Sequence, residues 1–143
     1  MQSLYAAPCR ESINQNLASD LQCSIQQVNT NFRLKSGAKI IGHKIGLTAP
    51  VVQKQLGVDQ PDFGILLNIM EVLNGDAIAV TELMQPKVEA EIAFVMAEDL
   101  EGDFNITDLI EAIDYATVSI EIVGSRVADW NIRITDTIAD NAS

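Results

Sequence analysis

Val88-Glu89-Ala90-Glu91-Ile92-Ala93-Phe94-Val95 carries two acids inside an otherwise apolar run. Its β-branched and aromatic residues read as a strand. Strand side chains alternate between faces, so Glu89 and Glu91 point the same way, along a face continued by the apolar Ala93 and Val95. Residues two apart on a strand are roughly 7 Å apart. At that distance two carboxylates on a partly buried face repel each other. A second strand-like run, Val118-Ser119-Ile120-Glu121-Ile122-Val123, supplies a third acid, Glu121. A hard divalent cation removes the repulsion, and Mg²⁺ or Mn²⁺ favours such carboxylate oxygens. The same pattern has a second reading. Glu-x-Glu on the wet face of an antiparallel strand is commonly only solvated charge, and the spacing by itself does not decide between the two.

Outward from this strand, the chain has the size of one domain: 143 residues, with 48% hydrophobic and 20% charged residues. That composition is globular and long enough to bury a substantial core. Nine basic against 20 acidic residues leave a net charge of −11, which argues against nucleic acid or an anionic membrane surface as the main partner. No apolar run approaches membrane-spanning length, and no basic n-region followed by a long apolar stretch opens the chain. Cys9 and Cys23 have neither CxxC spacing nor companion histidines, so reduced thiols in a cytoplasmic protein are expected in place of a disulfide framework or a zinc site.

Leu21, Ile25, Val28 and Phe32 recur at helical spacing and predict a helix over 19–35, with Ser19 at its start and Gly37 at its stop. A short strand is expected over 39–45. A short helix over 51–56 follows, opened by Thr48 and Pro50 and ended by Gly57. Gln60 to Gly64 reads as a loop before the buried run Ile65-Leu66-Leu67. Asn74-Gly75-Asp76 reads as a turn between extended segments. Thr107 is the expected cap of a helix over 108–115, with Leu109, Ile110 and Ile113 inward. Trp130, Ile132 and Ile134 suggest further buried structure, and residues 137–143 show no closing element.

Gly42-His43-Lys44-Ile45-Gly46-Leu47-Thr48 sets a lysine between glycines at a strand end, where a ligand can approach the backbone closely. An exposed lysine at a strand end is the simpler reading of those residues alone. His43, the sole histidine, lies on the opposite face by alternation and is given no catalytic role. Asp62 is a candidate general base, although loop aspartates more often cap or turn. One histidine supports no Ser-His-Asp or Cys-His arrangement.

These segments, with Gln55-Leu56-Gly57-Val58-Asp59-Gln60-Pro61-Asp62-Phe63-Gly64, Gln85-Pro86-Lys87-Val88-Glu89-Ala90-Glu91-Ile92-Ala93, Ile122-Val123-Gly124-Ser125-Arg126 and the ending Asp136-Thr137-Ile138-Ala139-Asp140-Asn141-Ala142-Ser143, resemble the 2-keto-4-pentenoate hydratases of the fumarylacetoacetate hydrolase superfamily. The resemblance runs from about Leu17 to the end. It implies an α+β fold, a fumarylacetoacetase-type mixed β-roll with outer helices. It also implies Mg²⁺ or Mn²⁺ held by Glu89, Glu91 and Glu121, with Lys44 and Asp62 acting on the substrate and Ser143 near it. The implied reaction is hydration of 2-hydroxypenta-2,4-dienoate, a small 2-hydroxydienoate, to 4-hydroxy-2-oxopentanoate in aromatic meta-cleavage catabolism. A sister activity, 4-oxalocrotonate decarboxylation, shares the metal site and lysine motif, while the loop around Asp62 and the Gly124-Ser125-Arg126 segment look more like the hydratase. A non-catalytic remnant is the alternative from another class. Family chains are much longer, so this one is expected to be a partial domain truncated at both ends: an N-terminal helical segment over 1–37 and a metal-binding, β-rich part over 38–143, without an N-terminal helical portion of the family and without its C-terminal part. A homo-oligomer is implied at full length.

Overall fold

The computed structural model describes residues 17–142. Its elements run α1 (Leu17–Lys35), β1 (Ile40–Gly46), α2 (Pro50–Leu56), β2 (Asp62–Leu67), β3 (Lys87–Met96), α3 (Ile106–Glu111), β4 (Ile113–Val123) and α4 (Ile134–Ala139), with single 3-10 turns at Asn68–Met70, Val80–Glu82 and Ala128–Trp130. The strands form two antiparallel pairs, β1 with β2 and β3 with β4. The fold is α+β, as expected.

Several boundaries differ from those read in the sequence. Asp62, Phe63 and Gly64 belong to β2 and not to a loop, because Gly46 and Lys44 pair with them across the ladder. Asn105, and not Thr107, caps α3: its side chain accepts from Thr107 N and Asp108 N, and the Asp108 side chain accepts in return from Asn105 N. This reciprocal box starts the helix earlier, and Ile113 to Tyr115 are drawn into β4. Of the three residues expected inward here, Leu109 and Ile113 are half-buried and Ile110 is exposed. A closing element exists after all, in α4. The turn at Asn74 and Gly75 is present, with Gly75 at φ 96, but no strand flanks it. Pro50 at the start of α2 and left-handed Gly57 at its end match expectation. Cys23 is disulfide-bonded and not the reduced thiol expected; a disulfide depends on Cβ separation in space, which spacing along the chain does not report.

The largest departure concerns α1. Its apolar stripe, Leu21, Ile25, Val28 and Phe32, stays exposed, while the polar Gln26 and Thr30 are buried. The cause is the free edge of β2. In an antiparallel ladder alternate residues turn their N–H and C=O outward. Gln26 Nε2 donates to Phe63 O at 2.9 Å. Asn141 takes the next position with a side chain that matches a peptide group: its Oδ1 accepts from Ile65 N and its Nδ2 donates to Ile65 O, both at 2.8 Å. Buried backbone groups need such partners, so polar residues of α1 and of the α4 end are drawn onto this edge. The apolar stripe is left on the outside.

Candidate metal and substrate site

Glu89 and Glu121 are direct cross-strand partners in the β3–β4 ribbon, and Glu91 lies opposite Ser119. Period-two alternation therefore puts all three acids on one face. Each offers one carboxylate oxygen, and these oxygens lie within 4.8 Å of one another. Glu89 and Glu91 are exposed and Glu121 is half-buried. Like charges directly opposite each other destabilise a strand pair. Three convergent hard oxygens fit a hard divalent cation, and the donor set contains no sulfur or imidazole to favour a softer metal.

Lys44 joins this group from the other sheet. Its Nζ forms an ion pair with Glu121 Oε1, tying β1 to β4. Lys44 lies across from Gly64, and Asp62 lies across from Gly46, so Lys44 and Asp62 are diagonal neighbours on one face of β1–β2. The two glycines make that face possible. A Cβ on Gly46 would collide with the Asp62 carboxyl. One on Gly64 would collide with Asn141 O and stand 2.8 Å from Lys44 Cγ. Asp62 is 3% exposed, and its Oδ1 is buried with no hydrogen-bond partner. A buried polar oxygen without a partner is costly.

His43 lies on the far face of β1, as alternation requires. Its Nδ1 is buried and unpartnered, and burial pushes its pKa below the usual histidine value. Ser143 lies outside the described residues. The residues just before it, Asn141 and Ala142, rest against Gly64 beside Lys44. A surface hollow of about 270 Å³ lies elsewhere, bordered by Ile25, Asn29, Arg126 and Asp140, and none of the acids above lines it.

Sequence reading gave no role to Gln85. Its Nε2 donates to Ser125 O at 2.9 Å and Val127 O at 2.8 Å, its Oε1 accepts from Asp129 N at 2.8 Å, and its backbone O accepts from Trp130 Nε1 at 3.0 Å. Only its place directly before Pro86 and the Glu-bearing strand could have drawn attention to it.

No protein-family model matches the chain. Among curated proteins, it is 55% identical over 128 residues to the TodF product hydratase of Pseudomonas putida strain F1, covering 87% of this chain and 48% of that protein. It is 50% identical over 138 residues to a 2-keto-4-pentenoate hydratase of Burkholderia vietnamiensis, covering 96% of this chain and 52% of that protein. Among solved structures, 4-oxalocrotonate decarboxylase from Pseudomonas putida G7, complexed with magnesium and adipate, matches with a TM-score of 0.79 and 32% identity over 90% of this chain and 49% of that one. The chain thus spans about half the length of the curated relatives it matches. Over that span, the chain is a relative of the 2-keto-4-pentenoate hydratases, as its motifs indicate.

Proposed function

We propose that this chain forms the metal- and substrate-facing part of a hydratase that converts 2-hydroxypenta-2,4-dienoate to 4-hydroxy-2-oxopentanoate. The observation that carries this is the convergence of Glu89, Glu91 and Glu121 on one ribbon face with Lys44 joined to Glu121. Its identity to named hydratases, 46–55%, exceeds the 32% to the decarboxylase structure, which favours hydration over decarboxylation. The magnesium in that decarboxylase complex supports Mg²⁺, with Mn²⁺ as the chemically similar choice.

Glu89, Glu91 and Glu121 would hold the cation. When bound, it supplies positive charge that offsets the negative charge developing on the 2-oxygen of the acid. Lys44 offers its ammonium to the substrate carboxylate or 2-oxygen, or relays a proton. Its tie to Glu121 keeps it beside the acids. Hydration to the 2-oxo product takes the proton off the 2-hydroxyl, places one proton each on C5 and C3, and adds the hydroxyl of water to C4. Asp62, with its unpartnered buried oxygen, takes the proton of the incoming water as general base. Ser143 contacts the substrate. The complete enzyme would be a fumarylacetoacetase-type β-roll in which this chain is a partial domain. It would be cytoplasmic and a homo-oligomer at full length.

The test joins this chain to the part of the Burkholderia vietnamiensis hydratase that it does not span. With Mg²⁺, the chimera should hydrate 2-hydroxypentadienoate, and Lys44→Ala should lower turnover far more than thermal stability. Rapid CO₂ release from 4-oxalocrotonate, with no hydration of the dienoate, would reverse the assignment. Near-parental hydration by Lys44→Ala would remove Lys44 from the chemistry.

A further inference from the structure

We infer that Gln85 is a positioning residue that latches the open end of the β3–β4 ribbon and so keeps Glu89 and Glu121 at ligand distance. The inference rests on the metal reading above and adds a residue to it. Glu89 is the third residue of β3, and Glu121 is the third from the end of β4. The acids therefore sit next to the end of a two-stranded ribbon where nothing in the ladder stops the strands from parting. Two-stranded ribbons are marginal on their own, and two facing carboxylates push this end open.

Just beyond Lys87 and Val123, the last pair of the ladder, segments 84–87 and 124–130 run side by side. Ser125 N donates to Met84 O at 3.0 Å. Gly124 permits this approach, since a Cβ there would stand 2.9 Å from Met84 O. Gln85 then spans the gap with both ends of its amide. It donates to two carbonyls of the β4 side and accepts one N–H, while its own carbonyl takes the Trp130 indole N–H. Lys87 Nζ closes the group, 3.7 Å from the centre of the Trp130 ring. The amide is needed in full. A carboxylate would turn an oxygen onto the carbonyls of Ser125 and Val127. Gln85 holds a left-handed backbone, φ 49, which a non-glycine residue adopts at a cost. That cost is consistent with the side chain's bonds deciding the local conformation.

The test uses the chimera described above, any tryptophan of its added part replaced by phenylalanine, with Gln85→Ala and Gln85→Glu. Amide hydrogen exchange is followed at the acid end of the ribbon (87–91 and 119–123) and at its far end (94–96 and 113–116). Trp130, the sole tryptophan, reports the latch by its emission, and calorimetry reads Mn²⁺ affinity. Both variants should speed exchange at the acid end while leaving the far end unchanged, red-shift Trp130, and weaken Mn²⁺ binding by about 10-fold or more, the usual effect of losing a residue that orients metal ligands. Unchanged exchange at the acid end, or no protection there in the chimera that keeps Gln85, overturns the latch. Faster exchange with unaltered Mn²⁺ affinity overturns the positioning role and leaves only a structural one. If the chimera that keeps Gln85 fails to bind Mn²⁺ while the exchange pattern appears as expected, the metal reading falls and the latch stands.

Discussion

Glu121 meets both halves of the site: it faces Glu89 across the ribbon and pairs with Lys44 from the other sheet. One side chain thus couples the acid cluster to the proposed substrate-facing lysine. At this scale His43 gives a test that does not depend on any ligand. Burial lowers its pKa below the ordinary 6.5, so the unfolded chain binds the proton more readily than the folded one. Stability is then full above about pH 6.5 and falls as the pH drops from there toward the lower folded-state pKa. Thermal midpoints taken from pH 8 to pH 5 should decline, and His43→Gln should flatten that decline; identical pH profiles would show that His43 is not buried in its neutral form. The shared face of Glu89 and Glu91 and the side of β1 on which His43 sits were legible from strand alternation, whereas Glu121 and Lys44 joined them only through the resemblance, because the β3–β4 register and the contact between the two sheets are not written in residue order. Gln85 was not legible, because its partners lie about 40 residues further along the chain.

Among the elements, the strands carrying the site and the span of α1 were readable, and the edges of β2 and α3 were not. Periodicity located the apolar stripe of α1 correctly but not the surface it would face. Pairing decided that, since the outward N–H and C=O groups of β2 recruit Gln26 and Asn141. Asn141 suits its place for two reasons: its amide both donates and accepts, and asparagine tolerates the left-handed backbone seen there, φ 67. Asn141→Ala should cost roughly 1–3 kcal/mol, because it strands a backbone donor and acceptor of Ile65. Gly64→Ala should be comparably harmful, since its methyl group would displace the Asn141 backbone and crowd Lys44. Chemical denaturation measures both. Wild-type midpoints for the pair would mean that the α4 end does not dock on β2.

At the scale of the whole molecule, the described residues bury little apolar surface. Only Leu67, Ala112, Val123 and Ala142 are buried apolar residues among those described. The face of β3–β4 opposite the acids, with Val88, Ile92, Phe94, Val118 and Ile120, is exposed throughout. A hydrophobic content of 48% thus does not become a core here, which composition could not foretell. Exposed apolar patches of this kind favour association, opposed by a charge of −11. Alone, the 143-residue chain should melt broadly, bind a hydrophobic dye and fail to hydrate the dienoate. A sharp cooperative transition with turnover matching a full-length relative would show that the span is sufficient by itself.

The central claim is the three-carboxylate metal site, and calorimetric titration of the chimera with Mg²⁺ and Mn²⁺ tests it most directly. The parent should bind one divalent ion per chain, and Glu89→Gln, Glu91→Gln and Glu121→Gln should each weaken binding strongly by removing one anionic oxygen ligand. Unchanged affinity in all three variants would show that the cluster on β3 and β4 is solvated charge and nothing more.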